Sequence, residues 1–140
     1  MKHNQLLSSL FFCSFATCFS QVTDTDLIGS WTVEEVLTHD TEIQEEDRDY
    51  TFKVRDALNK STFVFADDHR FTLNIPLSDM SELFRDTYWK WDHSRQHIVI
   101  QEEPNMEEDE GIMTFVLVQK KGSYFCEIER MPFSLKLIKS

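Results

Sequence analysis

The chain has 140 residues, and its 25 acidic side chains outnumber its 14 basic ones, which gives a formal net charge of −11. A chain this acidic is not expected to bind nucleic acid, because contacts to phosphates need clustered lysine and arginine. Its length allows one domain with a sizeable core, and no apolar run beyond the first twenty residues is long enough to span a membrane.

The N-terminal twenty residues have the organisation of a secretory signal peptide. A basic start at Lys2 precedes an apolar stretch, and small residues at Cys18 and Ser20 suit cleavage by a signal peptidase. We therefore expect residues 1–20 to be removed and residues 21–140 to form a single exported domain, either periplasmic or secreted.

The cysteines bear on how the exported chain is processed and stabilised. A lipoprotein, acylated at Cys18, is the less favoured alternative because Phe15 and Thr17 match that motif poorly. Cleavage after residue 20 removes both Cys13 and Cys18 and leaves Cys126 alone. An exported domain with one cysteine has no internal disulfide, so its core must hold the fold.

The first predicted element is a strand over residues 27–37. Trp31 and Val33 alternate with polar residues, which is typical of a half-buried strand. Gly29 comes directly before this alternation, in a chain with three glycines. A glycine at that point indicates a close approach of the backbone to another group.

Two helices are predicted between the strands. The first covers about residues 45–58, after the first strand, where apolar residues recur at helical spacing. A strand around residues 50–52 is the alternative there. The second helix is short, covers residues 78–86, and places three apolar side chains on one side: Met80, Leu83 and Phe84.

Seven further strands follow the first, separated mostly by short polar turns. They cover residues 63–65, 71–75, 87–91, 96–101, 112–118, 124–129 and 133–138. Eight antiparallel strands in sequence order can close into an up-and-down barrel, which leaves no exposed edge. The predicted fold is therefore mainly β: an eight-stranded antiparallel barrel with one helix after the first strand and a short helix between strands three and four.

Two motifs resemble a known family. Gly29-Ser30-Trp31 resembles the Gly-x-Trp signature of lipocalins. The hairpin from Phe63 to Phe71, followed by Trp89-Lys90-Trp91, resembles the small bacterial lipocalin-like domains, which belong to the calycin-type barrels. The resemblance extends over residues 21–140 and implies a barrel that binds a small apolar ligand.

The same resemblance implies a structural cluster at one barrel end. In the family, the tryptophan of the first strand closes that end, and a cationic side chain from the last strand lies over its ring. The expected cluster here is Gly29, Trp31 and Lys136, with Lys139 and Arg130 as alternatives to Lys136.

The candidate ligand site is the barrel interior, with the helix over residues 78–86 folded across one mouth. Its predicted lining is aromatic and aliphatic: Phe63, Phe65, Phe71, Leu73, Leu83, Phe84, Trp89, Trp91 and Ile98. The alternative is that these side chains simply fill a small barrel. The protein would then be an exported interaction module that acts through its acidic surface and loops on a partner the sequence does not identify.

The sequence predicts no enzyme, metal site or cofactor. His93 and His97 have zinc-like spacing, but they flank a predicted turn and lack a third ligand nearby. The acidic loop over residues 102–110 lacks the ligand spacing of an EF-hand and is expected to be solvated. Cys126 alternates with inward residues, which favours a buried, unreactive thiol over a catalytic one.

Overall fold

Eight antiparallel strands form the computed structural model of this protein, which describes residues 22–39, 43–107 and 111–140. The strands are β1 (Gly29–Thr38), β2 (Thr62–Phe65), β3 (Arg70–Asn74), β4 (Thr87–Asp92), β5 (His97–Gln101), β6 (Met113–Lys120), β7 (Ser123–Ile128) and β8 (Phe133–Lys139). They follow one another in chain order, and β8 pairs back with β1 to close the barrel. The predicted fold class is confirmed.

Three α-helices and one 3-10 turn lie outside the sheet in the described residues. They are α1 (Asp24–Leu27), the 3-10 turn (Glu45–Asp47), α2 (Arg48–Leu58) and α3 (Ser78–Leu83). The helix predicted after the first strand and the short helix predicted between strands three and four are therefore confirmed. A helix of one turn shows no periodicity in the sequence, so α1 escaped prediction.

A β-bulge divides the first strand. Trp31 and Val33 are buried, but Glu34 and Glu35 are both exposed, and the pairing with β8 shifts register between Val33 and Glu35. An extra residue of this kind reverses which side chains face the interior and bends the strand. The period-2 alternation seen at Trp31 and Val33 therefore applies only to the first half of β1.

The two ends of the barrel are closed by different elements. The chain order places the start of β1 and the end of β8 at one end, where Leu27 of α1 is buried against the core. At the other end, Val54 and Leu58 of α2 and Met80 of α3 belong to the same buried cluster. The helices therefore cover both openings of the sheet.

Candidate functional site

Trp31 lies at the barrel end closed by α1, as predicted. Its side chain is 2% exposed, and its indole Nε1 donates a hydrogen bond to the Leu27 carbonyl at 2.8 Å. Tyr124 contacts it edge-on with 5.1 Å between ring centroids. The indole therefore fixes α1 across this end of the barrel through both packing and a hydrogen bond.

The cation over Trp31 is Lys139, so the preference for Lys136 was wrong. Lys139 Nζ lies 5.5 Å from the indole centroid and donates to the Asp26 carbonyl at 2.8 Å. Lys136 Nζ instead pairs with Glu34 at 3.6 Å on the outer surface. Alternation along β8 explains the difference, because Leu135, Leu137 and residue 139 share a face from which Lys136 is excluded.

Gly29 completes this cluster. Its φ is +136°, a backbone conformation that side-chain-bearing residues rarely adopt, and an added Cβ would lie 3.0 Å from Lys139 Cε. The close backbone approach predicted from the sequence is present, and its partner is the lysine stem. Gly29, Trp31 and Lys139 together form a structural closure.

Most of the predicted ligand-lining aromatic side chains lie in the interior with their rings in mutual contact. Phe71 is central, and the nearest ring centroids are those of Phe65 at 5.3 Å, Phe84 at 5.8 Å, and Phe63 and Phe115 at 6.0 Å. Phe65 also meets Trp89 edge-on at 5.7 Å. Centroid distances of 4.5–7 Å are those of packed aromatic pairs, so no ligand-sized space separates these rings.

The remaining predicted lining residues differ in how far they are buried. Leu73 and Ile98 are buried in the same cluster, and Trp91 is partly buried against it. Leu83 is 48% exposed, so the prediction that it faces the interior was wrong. Met80 and Phe84 lie four residues apart on the buried side of α3, and Leu83 lies about 100° around the helix from Phe84.

The candidate metal and thiol residues form no reactive site in the described chain. No group of three His, Cys, Asp or Glu side chains among those residues is placed to hold a metal ion. His93 is exposed, and part of the acidic loop, residues 108–110, lies outside the described residues. Cys126 is buried inside the barrel, and burial raises the pKa of its thiol well above the ordinary value.

A surface groove of about 460 Å³ lies on the outer side of the barrel wall, and we call it the outer groove. Its floor includes Val99, which is 3% exposed and faces away from the barrel core. The walls come from the β4–β5 turn, the start of β6 and the β7–β8 turn. The full lining is Asp92, Arg95, His97, Val99, Gly111, Ile112, Met113, Thr114, Glu129, Arg130 and Met131.

Backbone and side-chain hydrogen bonds fix the walls of the outer groove. Thr114 is the register partner of Val99, and its carbonyl accepts from the Glu129 backbone N–H at 3.0 Å. Gln101, on the same outer face of β5 as Val99, donates to the Met106 carbonyl at 2.9 Å. These bonds hold the β7–β8 turn and Met106 beside Val99 and its neighbours.

The charged side chains of the outer groove are of both signs. Asp92 accepts from the Ser94 hydroxyl at 2.7 Å and from the Arg95 backbone N–H at 3.3 Å. The Arg95 guanidinium lies 3.6 Å from the same carboxylate. Glu129 and Arg130 form no ion pair with any residue that the structure describes.

The sequence analysis missed the outer groove, although one signal was available. Ile98, Val99 and Ile100 form a continuous apolar run within one strand, whereas a strand with one face in water alternates. Such a run predicts that both faces of β5 are covered. The apolar run does not indicate which elements cover the outer face of β5, because that depends on the positions of loops distant in the sequence.

Comparison with known proteins gives no relative from which a function could be inferred. No protein-family model matches the chain, and neither a curated protein nor a solved structure matches it. In the part of the chain described here, no helix has the length and apolar character needed to cross a membrane.

Proposed function

We propose that this protein is an exported, lipocalin-like binding module whose barrel is filled and which acts through the outer groove. One observation carries the proposal: the aromatic rings that were predicted to line an internal pocket contact one another, while a groove of about 460 Å³ lies on the outside and is lined by other residues. Of the two hypotheses drawn from the sequence, this geometry favours the solid interaction module.

The size of the outer groove suits a small ligand or a short segment of a partner. Ligand sites in proteins usually measure about 300–1,000 Å³ and combine an apolar lining with a few polar groups. Ile112 and Met131 supply apolar surface above the nearly covered Val99, and polar and charged side chains make up most of the lining. Export is supported by the sequence of residues 1–20, which lie outside the described residues.

We assign the groove a binding role and no catalytic one. Asp92 and His97 are direct register partners on the outer face, which is a pairing found in acid–base sites. Thr114 is the one hydroxyl residue in the lining, and no hydrogen bond joins it to His97. A nucleophile without a bonded base is not activated, so the arrangement suits recognition better than bond cleavage.

Nuclear magnetic resonance with a fragment and short-peptide library tests the proposal. We expect binders to shift the backbone amides of Val99 and Thr114 and to leave the Trp89 indole resonance in place. The Trp89 indole is a suitable reporter of the barrel interior, because the side chain is buried. Its Nε1 donates a hydrogen bond to the Ala66 carbonyl at 2.9 Å, which fixes the position of the ring. Binders that move the Trp89 resonance without moving the groove amides would refute the proposal.

An apolar carrier remains the second candidate, and one feature of the wall favours it. β3 and β4 share two register pairs, Arg70 with Tyr88 and Phe71 with Thr87, whereas β6 and β7 share six. Phe84, at the end of α3, packs on Phe71 beside this narrow seam. Movement of α3 away from this seam would therefore open the shortest path for a ligand into the barrel interior.

Ligand titrations followed by tryptophan fluorescence distinguish the carrier from the solid module. Fatty acids, retinoids and flavonoids that enter beside Trp89 should change its emission saturably at micromolar protein. The carrier requires Phe84→Asp to weaken this binding, with Leu83→Asp as the matched control because Leu83 is exposed. A panel without any saturable change leaves the outer groove as the binding site.

A further inference from the structure

We propose that the outer groove binds a zwitterionic ligand with an apolar side chain, a short peptide with free termini. This inference rests on the proposed function and adds the class of ligand. Two features of the groove carry it: an apolar floor, and a carboxylate and a guanidinium that form no ion pair with a residue the structure describes.

The apolar floor is the first feature. Val99 points outward, and its two register partners, Lys90 on β4 and Thr114 on β6, are polar. Ile112 and Met131 are partly buried against the core and add apolar surface to the groove beside Val99, which is itself nearly covered. Methionine adapts its shape to different partners, so this floor accepts aliphatic side chains of varied form.

The charge inventory is the second feature. Asp92 and Arg95 offer little to a ligand, because Asp92 is already engaged by Ser94 and by both the backbone and the guanidinium of Arg95. Glu129 and Arg130 are neighbours in the β7–β8 turn, and neither pairs with a described residue. The backbone bond from Glu129 to Thr114 keeps this turn beside the floor.

Charges of both signs in one lining disfavour simple ions as the preferred ligand. A plain anion that reaches Arg130 also meets Glu129, and it enters a protein whose formal net charge is −11. A plain cation that reaches Glu129 meets Arg130 in turn. A ligand with an ammonium group, a carboxylate and an apolar side chain satisfies both charges and covers the floor, and a short peptide has all three.

Titration with dileucine and its capped derivatives tests the inference by groove-amide shifts or calorimetry. We expect dileucine to bind, and we expect N-acetyl-dileucine and dileucine amide each to bind about tenfold more weakly, because each lacks one charge. Diserine should also bind about tenfold more weakly or worse, because it lacks the apolar side chains. Equal affinity for dileucine and both capped forms would overturn the inference.

Two substitutions test which groove residue binds each charged terminus of dileucine. In Arg130→Gln, dileucine and dileucine amide should bind equally, and in Glu129→Gln, dileucine and N-acetyl-dileucine should bind equally. Arg85→Gln and Glu82→Gln are matched controls, because this exposed ion pair joins α3 to the residues just after it, and neither residue lines the groove. A loss of selectivity in the controls equal to that in the groove variants would contradict the assignment.

The outcome also separates this inference from the proposed function. If other library members shift the groove amides and dileucine does not, the groove is a binding site and the zwitterion assignment is wrong. If no compound shifts the groove amides, both the proposed function and this inference fail.

Discussion

Replacing Trp31 with alanine is the strongest test of how the barrel end is held. The change removes a side chain that is 2% exposed, the 2.8 Å hydrogen bond to the Leu27 carbonyl, and the edge contact with Tyr124. Truncation of a large buried aromatic side chain costs about 3–5 kcal/mol of unfolding free energy. For a domain of this size, that corresponds to a melting temperature about 12–20 °C lower.

Two smaller substitutions separate the contributions of the hydrogen bond and of the lysine charge to this loss of unfolding free energy. Trp31→Phe keeps most of the apolar burial but leaves the Leu27 carbonyl without its donor, which should cost about 1–3 kcal/mol. Lys139→Met keeps the aliphatic stem over the indole and removes the charge, which should cost about 0.5–1 kcal/mol. Urea unfolding followed by circular dichroism gives all three values. If Trp31→Ala lowers the unfolding free energy by less than about 1 kcal/mol, the closing role assigned to Trp31 is wrong.

Three further predictions concern single positions. Gly29→Ala should cost about 1–3 kcal/mol in urea unfolding, because alanine is strained at φ +136° and its Cβ would crowd a neighbouring side chain at 3.0 Å. Phe84→Ala should cost about 3–5 kcal/mol and Leu83→Ala less than about 0.5 kcal/mol, since only the first is buried; similar losses for both would contradict the orientation of α3. The hydrogen bond from Tyr50 lowers the pKa of Asp79, so this bond contributes above the ordinary aspartate pKa and is lost as pH falls through the lowered value. Tyr50→Phe should therefore raise the pKa of Asp79 in a carbon-13 titration, and an unchanged pKa would show that the bond does not form in solution.

Contact among the interior aromatic rings bears on where this protein could bind a ligand. Eight strands enclose a space just wide enough for side chains or one small ligand, so the size of the inward side chains decides between the two. Phe63, Phe65, Phe71 and Phe115 occupy that space here, and α3 adds Phe84. A fold shared with ligand carriers therefore does not by itself make this protein a carrier.

Strand number, strand order and the two main helices followed from the sequence because they depend on local patterns. Alternation of period two marks strands, helical spacing marks α2, and polar turn residues mark their limits. The burial of Trp31 and the close approach at Gly29 also followed from the alternation, whereas the expected place of Trp31 at a barrel end was implied by the resemblance to lipocalins. These features are encoded within a few residues of where they occur.

Register, side-chain direction and the position of the loops were decided only by the tertiary structure. Lys139, and not Lys136, reaches Trp31 because pairing of β8 with β1 places residue 139 opposite it. The β7–β8 turn lies beside the outer groove because the Glu129 backbone N–H bonds to the Thr114 carbonyl of β6, fifteen positions earlier in the chain. Such contacts join residues far apart in the chain, and a one-residue shift in pairing reverses every side chain of a strand, so no local pattern specifies them.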